Sequence, residues 1–94
     1  MFLVVVKVRL NRPYAHWQSC FDADRENRAA AGITDVFRHP VIGEQAALYA
    51  VRTANPRMVH DFVYDPAARP GIEASGFVVG AEEITLCEIA ETNP

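Results

Sequence analysis

The stretch Pro13-Tyr-Ala-His-Trp-Gln-Ser-Cys-Phe-Asp-Ala-Asp-Arg-Glu-Asn-Arg-Ala-Ala-Ala-Gly32 decides how the rest of the chain can fold. Proline favours the first position of a helix, because its missing N–H would be unpaired there, and Asn11 is a residue type that caps helices. Glycine favours the left-handed turn that ends a helix. The sequence therefore predicts a long first helix between Pro13 and Gly32, and this helix holds the only tryptophan of the chain.

One face of this helix is predicted to be buried, yet it carries two charges, Asp24 and Arg28. The apolar part of the same face consists of Tyr14, Trp17, Cys20 and Phe21. A buried charge is costly unless it is paired, and an acid four residues before a base is the favourable order for a helical ion pair. Two interpretations follow. Either the helix breaks near residues 22–24 and both charges reach water, or Asp24 and Arg28 face a polar cavity beneath the helix.

The other segments alternate strand and helix signals in an order that indicates the fold class. Residues 2–10, 33–41, 45–53 and 83–89 are predicted to be strands. A second helix begins at Asn55-Pro56, with interruptions at Asp65-Pro66 and Pro70-Gly71. The order β-α-β-β-α-β predicts a single α+β, ferredoxin-like domain over residues 1–90, with a four-stranded antiparallel sheet and two helices, either of which can be broken, on one face. Residues 91–94 are predicted to form a flexible tail.

The sheet face turned away from the helices is predicted to be too apolar to remain in water. If Val4 and Val6 face the helices, Leu3 and Val5 face the other way, together with one of Leu48 and Tyr49 and one set of second-strand residues. A second copy of the chain would bury this face. We therefore predict a homodimer formed through the open face of the sheet.

Composition and charge exclude several classes of function. The 94 residues carry nine basic and twelve acidic side chains, a net charge of −3, without the basic patch typical of nucleic-acid binding. The first residues lack the features of a signal peptide, and no stretch is long enough to span a membrane. Cys20 and Cys87 are far apart and are expected to be free thiols and small core residues. The predicted location is cytoplasmic, with neither nucleic acid nor membrane as a partner.

The run Trp17-x-x-x-Phe21-Asp22, followed by a charged helix and by Gly32-Ile33-Thr34, carries a family resemblance. It resembles a subgroup of small stand-alone bacterial domains of unknown function in the dimeric α+β barrel superfamily. That superfamily includes antibiotic-biosynthesis monooxygenase-type, EthD-type and muconolactone-isomerase-type proteins. The resemblance implies a dimeric barrel, but the superfamily has no shared catalytic motif to transfer. Its haem-degrading members use an Asn, Trp and His set, which the position of Trp17 in the first helix does not fit.

Two residues are candidates for proton transfer. His39 lies near the end of the second strand, on the face predicted to carry Asp35 and Phe37, and histidine exchanges protons near neutral pH. The alternative for His39 is a surface histidine before a turn. Asp24 is the second catalytic candidate, if it faces a cavity. His16 and His60 are expected to be exposed on polar helix faces.

Three residues are candidates for ligand binding. Arg28 would hold a ligand beneath the first helix, and Tyr49 would donate a hydrogen bond to an enolate or phenolate. The alternative for Tyr49 is a core tyrosine with a satisfied hydroxyl. Trp17 is the third, and its alternative is packing of the helix on the sheet. No two histidines have metal-ligand spacing, so neither a metal nor a cofactor is expected.

Two functions from different classes remain open at this level. The first is a cofactor-independent enzyme of the monooxygenase, isomerase or cyclase type, acting on a small, partly aromatic molecule held between sheet and helices. The second is a non-catalytic dimeric module for ligand binding or assembly. Fold alone does not decide between them.

Overall fold

The computed structural model describes residues 1–90, and the predicted tail at residues 91–94 lies outside the described residues. The elements in chain order are β1 (Phe2–Arg9), α1 (Tyr14–Ala23), α2 (Arg25–Ala30), β2 (Thr34–Pro40), β3 (Ala46–Thr53), α3 (Arg57–Tyr64), α4 (Arg69–Ala74) and β4 (Glu83–Glu88). The strands form an antiparallel sheet in the order β2-β3-β1-β4. This is the predicted ferredoxin-like βαββαβ fold, with each predicted helix divided in two.

The predicted first helix breaks at Asp24, which separates α1 from α2. Pro13 directly precedes α1 instead of opening it, with a ψ of 145°, and no side chain caps this helix start. The predicted end at Gly32 is confirmed. There φ is +78°, and the N–H groups of Gly32 and Ile33 return to carbonyls of the last turn at 3.0 and 2.9 Å. Glycine adopts this left-handed conformation without a steric penalty.

The second predicted helix is also divided, but at only one of the two predicted places. It begins at Arg57, whose N–H donates to the Asn55 side chain at 3.2 Å, and α3 ends at Tyr64, just before Asp65-Pro66. The predicted interruption at Pro70-Gly71 is wrong, because α4 runs through these residues. A proline in the first turn of a helix leaves no hydrogen bond broken, since the N–H groups of that turn have no partner within the helix.

The core lies between the sheet and the helices. Alternate residues of β1 point into it, and β3 contributes the residues paired with them. Its larger buried members are Val4, Val6, Val8, Leu10, Trp17, Ile33, Tyr49, Val51, Val59 and Phe77. No helix in residues 1–90 combines the length and apolar character that crossing a bilayer requires.

The register of β2 corrects the face predicted for His39. Regular alternation places Asp35, Phe37 and His39 on one face, but Asp35 and Phe37 pair with consecutive residues of β3, so Val36 is an extra residue in the strand. This β-bulge turns Asp35 toward the helices and leaves Phe37 and His39 on the open face. The prediction of a shared face is therefore wrong.

The open face of the sheet carries the apolar residues predicted from β1. Leu3 and Val5 lie there half-buried, beside Leu48 of β3, whereas Tyr49 faces the helices. Phe37 extends the apolar surface across β2. We use the name "open face" for this surface below.

Candidate functional site

A cavity of about 800 Å³ lies between the helix pair α1–α2, the helix pair α3–α4 and strand β3. Most of its wall is apolar, with aromatic side chains from both helix pairs and from the sheet. The aromatic residues that line it are Trp17, Phe21, Tyr49, Phe62 and Phe77.

An aromatic cluster forms one side of this cavity. The ring centroids of Trp17 and Phe21 are 4.8 Å apart, and those of Phe21 and Tyr49 are 5.0 Å apart. Trp17 and Tyr49 stack at 6.0 Å. Trp17 is only 2 % exposed and therefore packs α1 on the sheet, while it also lines the cavity.

The hydroxyl of Tyr49 has no hydrogen-bond partner among residues 1–90, although the residue is only 5 % exposed. No side-chain oxygen or nitrogen in this part of the chain is both sealed from solvent and unpaired, so the hydroxyl opens into the cavity. Burial raises the pKa of Tyr49 far above its ordinary value. The side chain is therefore a neutral hydrogen-bond donor at physiological pH.

Arg28 is turned inward and paired with a residue that sequence reasoning did not assign to it. It is 6 % exposed, and its Nε and Nη2 donate to the two carboxylate oxygens of Asp35 at 2.8 and 2.7 Å. Nη2 also donates to the Phe21 carbonyl at 2.7 Å, and the guanidinium lies 3.6 Å from the centre of the Phe21 ring. The remaining nitrogen, Nη1, makes no hydrogen bond with residues 1–90.

A charged network continues from this pair along the helix side of β2. Arg25 bridges Asp35 at 3.3 Å and Asp22 at 3.7 Å, and Arg38 binds both oxygens of Asp22 at 2.6 and 2.8 Å. Burial of Asp35 opposes ionisation, but hydrogen bonds and charge from the two arginines outweigh it and lower the pKa of Asp35. The hydrogen bond from Arg38 is the main cause of the lowered pKa of Asp22.

Asp24 lines the cavity but is not the partner of Arg28. Its Oδ1 accepts a hydrogen bond from Asn27 at 2.6 Å, and the residue is half-buried. The favourable helical pairing of Asp24 with Arg28 is absent because the helix breaks at Asp24, and because Asp35 offers Arg28 a bidentate geometry instead. The helix break leaves Asp24 partly in water, as the first of the two interpretations from the sequence predicts. Arg28 faces inward, as the second interpretation predicts.

The histidines lie away from the centre of the cavity. His39 is exposed on the open face, where it stacks on Phe37 at 5.6 Å, so the sheet separates it from Asp24. His16 and His60 are exposed, as predicted. His16 nevertheless joins α1 to α4, because its Nε2 lies 2.9 Å from the carbonyl oxygen of Ala74.

Sequence reasoning missed the part of the cavity wall that comes from α3 and α4. From the sequence, Phe62 and Ile72 could be assigned only to the core, because apolar residues have the same spacing whether they fill a core or line a cavity. Cys20 was expected to be a core residue and instead lies half-buried in the cavity wall. Within residues 1–90, no three potential metal ligands cluster.

Fold and cavity together define a class: a ferredoxin-like α+β protein with a small-molecule-sized space between its sheet and its helices. No family model matches the sequence, and no curated protein sequence matches it. Solved structures do match, over nearly the whole chain. A candidate antibiotic biosynthesis monooxygenase from Deinococcus radiodurans is 16 % identical, with a TM-score of 0.61 and coverage of 100 % of this chain and 97 % of that one.

Two further structures show the same likeness. Protein Atu4242 from Agrobacterium tumefaciens is 14 % identical, with a TM-score of 0.67 and coverage of 100 % of this chain and 98 % of that one. The monooxygenase from the gene ActVA-Orf6 of Streptomyces coelicolor, in complex with the ligand nanaomycin D, is 14 % identical, with a TM-score of 0.56 and coverage of 99 % and 91 %. The chain therefore shares its fold with these three proteins, two of which are described as monooxygenases.

Proposed function

We propose that this protein binds a compact, partly aromatic molecule in the cavity beside Tyr49 and acts on it as a cofactor-independent enzyme of the monooxygenase type. The observation that carries the proposal is the unpartnered Tyr49 hydroxyl in an aromatic wall. Because this hydroxyl opens into the cavity, a ligand oxygen there would accept its hydrogen bond in place of water. The volume of about 800 Å³ lies within the range of about 300–1,000 Å³ common for small-molecule sites.

The lining divides into groups that recognise a ring and groups that recognise oxygen. Trp17 and Phe21 present ring surfaces against which an aromatic ligand stacks. Tyr49 donates a hydrogen bond to a phenolate or enolate oxygen, and the guanidinium of Arg28, which also lines the cavity, adds a positive charge to its wall. Such a pair stabilises the deprotonated form of a phenol or of a ketone with an acidic C–H.

Asp24 is the proton acceptor in this proposal. Only one of its carboxylate oxygens is bonded to Asn27, so the other is available to a substrate proton. Removing that proton makes the substrate electron-rich enough to react with dioxygen. One oxygen atom then enters the substrate, and the other leaves as water. The substrate itself supplies the two electrons and the two protons that form this water. His39 has no part in this scheme because it lies on the other side of the sheet.

The structural likeness supports this class of function without fixing a substrate. One of the similar structures is a monooxygenase in complex with nanaomycin D, and another is a candidate antibiotic biosynthesis monooxygenase. TM-scores of 0.61 and 0.56 place these proteins in the same fold as this chain.

Binding is measured by the fluorescence of Trp17, the only tryptophan, during titration with α-naphthol or nanaomycin D. We expect saturable quenching, and we expect Tyr49→Phe to weaken binding about tenfold, the value of one hydrogen bond. Tyr64→Phe is the matched control, because the Tyr64 hydroxyl bonds to Glu82 at 2.5 Å instead of facing the cavity. Absence of quenching, or equal affinities for both variants, contradicts the proposal.

Oxygen uptake with anthrone separates the enzyme from the alternative function, a non-catalytic ligand-binding or structural module. Anthrone has an acidic CH₂ group between aromatic rings, and its oxygenation consumes one dioxygen per carbonyl formed. An enzyme of the proposed kind loses this activity in Asp24→Asn while it still binds α-naphthol. Binding without any turnover of anthrone or related substrates favours the alternative.

We further propose that the chain forms a homodimer through the open face and, as its free thiols favour, is located in the cytoplasm. Leu3, Val5 and Leu48 would be removed from water there. Light scattering is expected to give twice the monomer mass, and Val5→Lys or Leu48→Lys is expected to give the monomer. Ile42→Lys is the control, because Ile42 is apolar and 99 % exposed in the β2–β3 loop. A monomeric wild-type chain contradicts this part of the proposal.

A further inference from the structure

Cys20 places a thiol in the wall of the cavity. It lies on α1 between Trp17 and Phe21, it is half-buried, and it forms no disulfide. Unlike Asp24, Arg28 and Tyr49, it has no part in the acid–base chemistry described above. A thiol at the edge of an aromatic site is a nucleophile toward ligands that carry an electrophilic carbon.

A second observation indicates which ligand would meet this thiol. The Tyr49 hydroxyl, 5 % exposed and unpartnered among residues 1–90, opens into the same cavity. It is a hydrogen-bond donor, so it selects an acceptor oxygen such as a carbonyl. A hydrogen bond to the carbonyl of an enone or a quinone withdraws electrons from the conjugated carbon and makes that carbon more reactive toward sulfur.

The neighbouring histidine does not serve as the base for Cys20. The Nε2 of His16 is 3.9 Å from the sulfur, but it is 2.9 Å from the carbonyl oxygen of Ala74. Because a carbonyl can only accept, this nitrogen carries the proton and donates it. The proton of the thiol therefore passes to solvent.

We propose that Cys20 covalently captures quinone or enone ligands inside the cavity, an inference that rests on the proposed binding of small aromatic molecules. The sulfur forms a bond to the ring carbon conjugated with the carbonyl, and the π electrons of the C=C bond move to the carbonyl oxygen. That oxygen takes a proton from solvent, which replaces the one lost by the thiol. With a quinone, the ring C–H proton then moves to the second oxygen. The product is a hydroquinone thioether, and no external oxidant or reductant is required.

The two free cysteines provide a matched pair for the test. Cys87 is also half-buried, but it lies on β4 opposite Leu3, on the open face and away from the cavity. Cys20→Ser and Cys87→Ser are each treated with menadione, a naphthoquinone, without oxygen, and adducts are followed by intact mass. Rates with iodoacetamide correct for the exposure of each thiol. The corrected rate at Cys20 is expected to exceed that at Cys87 by about tenfold or more, because bound menadione is held near the sulfur.

Protection by α-naphthol shows where the reaction occurs. This phenol has no electrophilic carbon, so at saturation it should slow the reaction of Cys20 and leave that of Cys87 unchanged. Equal corrected rates at the two cysteines, or no protection of Cys20, overturn the capture. If α-naphthol quenches Trp17 but Cys20 shows no preference, the proposed binding function stands and only the capture fails. If α-naphthol does not bind at all, the proposed function fails.

Discussion

Arg28 of α2 forms a bidentate ion pair with Asp35 of β2, with both nitrogen–oxygen distances below 3 Å: 2.8 Å from Nε and 2.7 Å from Nη2. This ion pair fixes α2, which follows the helix break at Asp24, to the edge strand β2 of the sheet. It also holds the guanidinium against the Phe21 ring, at the border of the cavity. One contact thus positions both the helix and a wall of the candidate site.

Removal of Arg28 should be strongly destabilising. Arg28→Met leaves the Asp35 carboxylate, whose side chain is only 14 % exposed, without its main partner, and we expect the free energy of unfolding to fall by about 3 kcal/mol. The control is Arg25→Met: the Arg25 side chain is 60 % exposed and 3.3 Å from the same carboxylate, and we expect a loss of at most about 1 kcal/mol. Urea denaturation measures both variants. Equal losses would show that Arg28–Asp35 is not the dominant contact.

The same network predicts sensitivity to acid. The pKa values of Asp22 and Asp35 are lowered in the folded chain, so their contribution to stability is complete above the unfolded value of about 4 and is lost as the pH falls through the lowered folded values. We expect the urea midpoint to fall between about pH 5 and about pH 2. In the double variant Arg28→Met/Asp35→Leu this fall should be smaller. An unchanged pH profile in the double variant contradicts the assignment.

Because the Tyr49 hydroxyl has no hydrogen-bond partner among residues 1–90, its removal is expected to leave the stability of the folded chain nearly unchanged. Tyr49→Phe removes no hydrogen bond to residues 1–90, so its free energy of unfolding should change by less than about 1 kcal/mol. Thr53→Val is the matched control, because the buried Thr53 hydroxyl accepts from the Asn55 N–H at 3.1 Å and donates to the Asn55 carbonyl at 3.2 Å. That control should lose about 1–3 kcal/mol. Thermal or urea unfolding of the two variants checks the difference in the absence of ligand.

Two glycines with the same backbone angle should respond differently to alanine. Gly76 and Gly80 both have φ of +95°, but a Cβ at Gly76 would lie 2.8 Å from the Cβ of Arg12, whereas nothing lies within 4 Å at Gly80. Gly80→Ala should cost about 1–2 kcal/mol from backbone strain alone. Gly76→Ala should cost at least about 1 kcal/mol more, because the loop before α1 has to move. Urea denaturation of both variants tests this, and equal costs would contradict it.

Local signals predicted the fold well, and pairing between distant residues limited the prediction of the site. The helix break at Asp24 and the end at Gly32 follow from residues within one turn. The pairing of Arg28 with Asp35 does not follow from nearby residues, because Asp35 comes close to Arg28 only after the chain has turned into β2. The face of His39 was wrong because the bulge at Val36 has no marker such as glycine. The free state of the Tyr49 hydroxyl depends on which side chains of distant helices surround it, which no periodicity encodes.

The extra residue in β2 has a consequence for insertions and deletions. Asp35 and Phe37 already pair with consecutive residues of β3, so a chain lacking Val36 would form a regular ladder with the same partners on the same faces. Val36 is 47 % exposed, and its loss removes little buried surface. Deletion of Phe37 would also leave a regular ladder, because Val36 would then take the place opposite Ala50. Deletion of Arg38, by contrast, would turn either Phe37 or His39 to the opposite face. The bulge therefore lets β2 lose either Val36 or Phe37 while Asp35 still faces Arg28 and Arg38 still faces the helices.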